Sequence, residues 1–353
     1  MKPSFDLNSA ITRRGFLKSS ALGILGMTAL NLPLRLLNKS ATQVKGQQVQ
    51  LGRVLKPSIT IHASPRFSSA VLRTETFNAI LEIDQTMEGD SDDAGNMVWY
   101  RLKDDGCIHS SDIQEVQNII NPVILNLNPN GVLAQVTVPF TQAWKARQNA
   151  YQKNQLYFYG STHWVIGLAK DEQGNNFYKV KDDRWGYIYY VSASHMYIVD
   201  EEELLPITTI DPQSEKKIEV NLQDQSITAY EGDQPVFFSP MSSGIKNEER
   251  DFSTPPGEYR IHYKRPSRHM VHGGVSGDQS PDLHGVPWVS YFTNSGIAFH
   301  GTYWHNDFSL PRSFGCVNLP IPAARWIYLW SLPVVPPRAK TFVSNQGTRV
   351  IVN

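Results

Sequence analysis

The sequence predicts a mainly β protein: two small barrels followed by a larger β-rich unit with one or two short helices. Three observations predict it. Short apolar or alternating runs recur at close spacing. The 24 Gly and 22 Pro supply turn signals throughout and leave little room for long helices. Eight Trp and fifteen Tyr suit packed sheets or the gripping of a polymer. A length of 353 residues favours two or three domains.

The N-terminal segment, residues 1–37, reads as an address. Arg13-Arg14 precede Phe16-Leu17-Lys18, and a mild apolar run from Ala21 to Leu34 follows, broken by Gly23, Gly26 and Pro33. The layout resembles a twin-arginine export signal, and the run is shorter than the roughly 20 residues of a spanning helix. It has no clear small-x-small cleavage site, so retention as a membrane anchor stays open. Residues 38–50 are polar and aperiodic, a linker.

Residues 51–120 carry strand-like runs at Ser58–His62, Ala79–Ile83 and Met97–Leu102, with turns at Ala63-Ser64-Pro65 and Asp104-Asp105-Gly106. With Gly52-Arg53-Val54 at the start and Cys107-Ile108-His109 after the turn, the pattern resembles a bacterial Src-homology-3-type domain. Cys107 is then a core residue. Residues 131–205 repeat the arrangement loosely: Val136-Thr137-Val138 opens it, and Tyr157–Gly160, Thr162–Leu168, Phe177–Val180 and Gly186–Val191 follow. Trp164 is read as the match of Trp99, and Tyr178 as part of the tyrosine strand. The aromatic residues form either a ligand groove or simply core. Within the acidic stretch Glu201–Ser214, residues 206–214 are a linker.

Residues 215–353 begin as an antiparallel meander, Ile218–Leu222, Ser226–Tyr230 and Pro235–Phe238, with tight turns between. Thr254-Pro255-Pro256-Gly257 introduces the strand Glu258–Ile261. Pro287–Phe292 and Gly296–His300 form a hairpin around Thr293-Asn294-Ser295. A helix is expected from Pro322 to about Trp330, with the proline in its first turn. Gly347–Val352 is a terminal strand. The Gly- and Pro-rich stretch from Arg265 to Pro287 is expected to be a mobile loop over a cleft.

Chemistry concentrates in this last segment. His300-Gly301 closes an apolar strand, and sixteen residues after the histidine comes Cys316, within Ser313-Phe314-Gly315-Cys316-Val317-Asn318. A thiol with an imidazole is the minimum equipment for covalent acyl transfer. Gly315 lets the backbone turn tightly beside the thiol. With only Cys107 and Cys316, a disulfide framework is excluded, and the surroundings of Cys316 read as reactive rather than bridged.

The opening hairpin, Thr254–Gly257, His300-Gly301 and Ser313–Asn318 fall in the order of the YkuD-type L,D-transpeptidase catalytic domain, which this segment resembles. Phe314 stands where many members have His or Lys. The resemblance implies Cys316 as nucleophile and His300 as base, its ring oriented by a carbonyl near Gly301. It also implies oxyanion donors around Gly315 and Cys316, and Ser313 as the residue shaping the loop. Asn318 would brace the loop or touch the donor. Tyr291, Tyr303, Trp304 and His305 flank these elements, the first three as a substrate-covering wall and His305 as a second acid–base group, with core packing as the alternative. The implied partners are peptidoglycan stem peptides, as donor and acceptor, with glycan contact by the barrels. The implied reaction releases a terminal D-Ala, leaves a Cys thioester and ends in a 3-3 cross-link, or in hydrolysis if water is the acceptor. The implied location is the cell wall.

Other classes fare less well. Lys and Arg balance Asp and Glu at 33 each, which argues against nucleic acid or an anionic membrane as dominant partner. His262, His269, His272 and His284 cluster, but in neither a His-Glu-x-x-His nor a Cys-x-x-Cys pattern, so no metal or other cofactor is expected. A sortase-like enzyme would need a Thr-Cys strand end and a distant Arg, which are not arranged here. A non-catalytic wall-binding protein is disfavoured by the intact Cys316 and His300.

Overall fold

A computed structural model describes residues 49–147, 150–207, 214–246, 248, 251–271 and 282–353. The twin-arginine segment, most of both linkers and His272 lie outside the described residues. Among the described residues no helix is long and apolar enough to cross a membrane.

The chain is mainly β. The first sheet contains β1 (Gln50–Val54), β2 (Ser58–His62), β3 (Val71–Thr76), β4 (Ile80–Glu88), β5 (Val98–Leu102), β6 (Cys107–His109) and β7 (Ile113–Val116). They pair in the order β3-β2-β6-β5-β4-β1-β7. Val54, Ile61, Tyr100, Ile108 and Ile113 are the centre of its core. The sequence does not announce β3, because Val-Leu-Arg-Thr-Glu-Thr keeps every side chain at least partly in solvent.

The second sheet contains β8 (Val132–Val136), β9 (Phe140–Arg147), β10 (Ala150–Phe158), β11 (Thr162–Lys170), β12 (Asn176–Lys181), β13 (Ile188–Ser192) and β14 (Met196–Ile198). Its order, β10-β9-β13-β12-β11-β8-β14, is the first order with seven added to every strand number. Even the irregularity repeats. In the first unit Ile83 faces Leu102 and the register slips before Gln85 faces Arg101. In the second, Val165 faces Val180 and slips before Gly167 faces Lys179. This register corrects one expectation: Trp99, on the fifth strand, corresponds to Phe177, whereas Trp164 lies on the fourth. Tyr178 corresponds to Tyr100. The second unit opens at Val132, earlier than Val136-Thr137-Val138, and β9 is an additional strand.

The third unit has two sheets. The meander β15 (Lys216–Asn221), β16 (Ser226–Glu231) and β17 (Gln234–Pro240) is extended by β18 (Gly257–Arg260) and by the last strand, β24 (Arg349–Val352). β24 runs parallel to β15 and antiparallel to β18, and so occupies the place between them. The other sheet has the order β22-β21-β20-β19-β23, from β19 (Tyr263–Val271), β20 (Asp282–Tyr291), β21 (Ala298–Gly301), β22 (Val317–Leu319) and β23 (Phe342–Val343). The helix α1 (Ile321–Trp330) has Pro322 in its first turn and packs on β20 and β21. It ends at Ser331, whose amide caps the Ile327 carbonyl before the backbone turns extended.

The stretch from Arg265 to Pro287 is therefore not a loop in its described part, but the two long strands of a hairpin. Pro287 sits opposite Ser267 in the ladder, outside the Ser290–Tyr291 part of β20 that pairs with β21, so it occupies a locally edge-like position. Residues 272–281, between the strands, lie outside the described residues.

The units share contacts. Leu133 and Trp164 of the second unit are buried in the same core as Ile218, Phe299, Ile327 and Trp330 of the third. Arg53 of the first unit is 1% exposed. Its guanidinium donates to Asn78, Gln114 and the Tyr303 carbonyl, and it lies 4.4 Å from the Phe158 ring centre of the second unit. One side chain thus touches all three units.

Candidate active site

His300 lies on β21, between β20 and β22. Cys316 immediately precedes β22, which pairs parallel with β21 so that Phe299 faces Val317 and His300 faces Asn318. The strand pairing, rather than the loop, sets the thiol beside the imidazole strand. Cys316 is partly buried and packs with Tyr291 and Trp304 against Val286, Val289 and Ala298. Its sulfur lies 3.8 Å from the Gly296 carbonyl.

The loop before Cys316 is tied by short polar links. Gly315 holds φ +109°, a region where a side chain is strained. The Gly315 amide donates to Ser313 Oγ at 3.1 Å, and the Ser313 hydroxyl donates to the Cys316 carbonyl. The Gly315 amide is therefore committed to Ser313, which corrects its expected place among the oxyanion donors. From the opposite side, Ser242 exchanges two backbone bonds with Asn318, each 2.9 Å. The Ser243 carbonyl accepts the amides of Arg312 and Ser313. Gly244 comes so close that a Cβ there would sit 1.8 Å from the Phe252 carbonyl oxygen. The Ser242–Gly244 brace was not singled out from the sequence; its only signal is a run of small residues after a strand.

His300 is 3% exposed, and its Nδ1 lies 3.2 Å from the Gly301 carbonyl. A carbonyl only accepts, so Nδ1 carries the proton and Nε2 presents a lone pair. Desolvation by burial pulls His300 down to about 4, against the Gly301 carbonyl, which favours the cation. Burial likewise pushes the Cys316 thiol up to about 11, partly offset by the Ala298 amide. Both shifts favour neutral forms, so the resting pair is thiol and imidazole.

The remaining predicted residues divide. Trp304 is partly buried, with its ring centre 5.7 Å from that of His300. Tyr291 stacks on Tyr263 at 5.2 Å, and burial pushes its phenol up to about 12. Both stay at the rim of the thiol's packing cluster. Tyr303 does not: its hydroxyl donates to the His284 carbonyl at 2.8 Å, and its ring stacks on Phe158. It is buried in the contact between units, not in a substrate wall. Asn318, 2% exposed, turns its amide to His305 Nε2 at 2.9 Å, and His305 Nδ1 faces Asp307 at 3.1 Å. Asn318 thus braces the strand, and His305 orients Asn318. Cys107 is a buried free thiol beside Met87, and Cys316 is free as well.

Two of the four clustered histidines meet a carboxylate. Asp182, His269 and His284 bring one ligating atom each to within 4.8 Å of one another, a set that could hold a metal ion.

Part of the chain is similar to known proteins. Residues 215–352 match the family model of the L,D-transpeptidase catalytic domain, YkuD. The "Putative L,D-transpeptidase YciB" of Bacillus subtilis is 26% identical over 121 residues, 31% of this chain. The match spans 58% of that relative's length. Among solved structures, an L,D-transpeptidase from Mycobacterium smegmatis aligns over 52% of this chain and 80% of its own, at 17% identity and a TM-score of 0.32. The catalytic domain of an E. faecium L,D-transpeptidase aligns over 40% of this chain and all of its own, at 19% identity and a TM-score of 0.29. The YkuD segment coincides with the third unit and contains both His300 and Cys316.

Proposed function

We propose that the protein is a peptidoglycan L,D-transpeptidase that works through a thioester on Cys316. The observation that carries this reading is the placement of His300 on β21 and of Cys316 immediately before the adjacent parallel strand β22, inside the segment that matches the YkuD model.

The donor is a tetrapeptide stem whose diamino acid is joined to D-Ala. The Cys316 sulfur attacks the diamino acid carbonyl as its proton passes to His300 Nε2. The Nδ1–H bond to Gly301 keeps Nε2 free for that proton. The tetrahedral intermediate collapses, the carbon–nitrogen bond breaks, and the imidazolium returns the proton to the departing D-Ala amine. An acceptor amine then attacks the thioester, closing a 3-3 cross-link and restoring the thiol. Because both groups rest in neutral form, the proton transfer accompanies attack instead of preceding it. Tyr291 and Trp304 flank the acyl chain. Ser313 and Gly315 hold the loop that presents the sulfur, and Asn318 holds the strand behind it.

The enzyme is exported by the twin-arginine route and acts in the wall, its first two β units contacting glycan. The test is incubation of the purified protein with disaccharide-tetrapeptide and mass spectrometry of the products. D-Ala release with a cross-linked dimer is expected, and neither from Cys316→Ala. Release without dimer assigns water as the acceptor. If wild type and Cys316→Ala behave alike, the reading fails.

A further inference from the structure

We propose that Asp182, His269 and His284 form a binding site for one divalent transition-metal ion, zinc by its chemistry, that fastens the second β unit to the β19–β20 hairpin. The argument rests on four observations away from Cys316.

The first is the donor set. Asp182 Oδ2 lies 2.6 Å from His269 Nδ1 and 3.5 Å from His284 Nδ1. Two imidazoles and a carboxylate suit zinc and its neighbours, with water as a fourth ligand. Asp182 and His269 are buried.

The second is orientation. The other oxygen of Asp182 accepts the amides of Arg184 and Trp185, at 3.1 and 2.6 Å, which leaves Oδ2 turned to the histidines. Asp282 stands behind both rings: its Oδ1 meets His269 Nε2 in a short hydrogen bond and lies 3.4 Å from His284 Nε2. The side-chain amide of Gln155 lies 3.3 Å from His284 Nδ1. A carboxylate that holds a histidine by its far nitrogen is the usual outer support of a metal-bound imidazole.

The third is charge and space. The neighbouring Asp183 pairs with Arg265 and Arg268, each at 2.7 Å. Among the described ion pairs, Asp182 and Asp282 have only the two imidazoles. The Asp282 side chain is 64% exposed and solvated, so the buried charge that a cation would balance is that of Asp182. Asp182, His269 and His284 line a cavity of about 10 Å³, room for one ion or one water.

The fourth is an internal comparison. Lys103-Asp104-Asp105-Gly106 of the first unit occupies the turn that Lys181-Asp182-Asp183 begins in the second, since Leu102 corresponds to Val180. Asp104 is 66% exposed and pairs with Arg73, whereas the Asp182 side chain is 3% exposed. The same turn is an ordinary surface feature in one unit and is buried against two histidines in the other.

The reach of the site follows from its strands. His269 and His284 are followed or preceded by Met270 and Leu283, which pack in the same cluster as Cys316. A metal here would fix the sheet behind the thiol without touching it.

The test uses the full chain, stripped with a chelator and titrated with zinc chloride in a calorimeter, with cobalt(II) chloride as a spectroscopic probe. Expected are one ion per chain with micromolar or tighter affinity, a Tm raised by a few degrees, and visible cobalt bands of a four-coordinate nitrogen–oxygen site without thiolate charge transfer. Asp182→Asn and His284→Gln abolish binding. Asp282→Asn weakens it by about 10- to 100-fold. Asp104→Asn, at the matching turn, and Cys316→Ala leave it intact. Circular dichroism establishes that each variant is folded. The proposal falls if the folded wild type takes up no stoichiometric zinc, or if Cys316→Ala removes binding that Asp182→Asn retains, which would place the ion on the thiol.

Discussion

Thr254 Oγ1 donates to the Gly315 carbonyl at 2.8 Å while accepting the Gly244 amide at 2.9 Å. A hydroxyl from the Thr-Pro-Pro-Gly turn therefore pins the loop that carries the thiol to the Ser242–Gly244 brace. Thr254 is 1% exposed, so water cannot replace it. Thr254→Val keeps the shape and leaves a donor and an acceptor unpaired, at a cost of about 1–3 kcal/mol. D-Ala release should fall at least tenfold, with Thr254→Ser recovering most of both. Urea unfolding and the product assay check this; unchanged activity in the valine variant would remove the pin from the argument.

The neutral resting pair has a reactivity signature. With the thiol at about 11, the thiolate fraction at pH 7 is about 10⁻⁴. The rate of Cys316 alkylation by iodoacetamide should therefore climb roughly tenfold per pH unit from 7 to about 11. A plateau already reached at pH 6 would mean a thiolate–imidazolium pair instead.

Stability should carry the imprint of His300. Its folded value of about 4 lies below the ordinary 6.5, so the unfolded chain binds the proton first. The contribution is fully present above pH 6.5 and is lost as pH falls towards 4, amounting to about 3 kcal/mol. His300→Gln should flatten that part of the profile. Urea midpoints at pH 7 and 4.5 for both proteins measure it.

Arg53 is the contact common to the three units, held by Asn78, Gln114 and the Tyr303 carbonyl. Arg53→Met keeps the stem but leaves the buried acceptors unpaired, and should cost about 2–4 kcal/mol. Calorimetry should show the first unit melting separately from the rest. A single unshifted transition would contradict the coupling.

Lys264 is fully buried, and its amine meets the carbonyl of Tyr328 in the last turn of α1 and those of Ser331 and Pro333 just beyond it. Burial pulls it well below its ordinary value. Lys264→Met leaves those oxygens without a donor and should destabilise by about 3 kcal/mol. Hydrogen exchange should locate the loosening in the last turn of α1.

Much of the architecture is legible because its signals are local. Alternation marks β15 and β16, Pro322 marks the start of α1, and the spacing of His300 and Cys316 marks the site. What is not legible depends on long-range burial. β3 is polar because both of its faces meet solvent. Arg265–Pro287 reads as a loop because its prolines and glycines outweigh a ladder that only the partner strand reveals. Tyr303 lies close after His300 and Asn318 close after Cys316 in sequence, yet packing against the other units and His305 turns them away. Asp182 had no local signal at all: its histidines are contributed 87 residues later and beyond.

The position of β24 governs when the third unit can fold. Its four residues fill the slot between β15 and β18, strands made much earlier. Until Val352 has left the ribosome, those two strands have no neighbour to join them, and the meander keeps an unpaired flank. The sheet therefore closes only once β24 joins two strands that precede it in the chain. Before β24 docks, the chain presents an open edge, a template for wrong pairing.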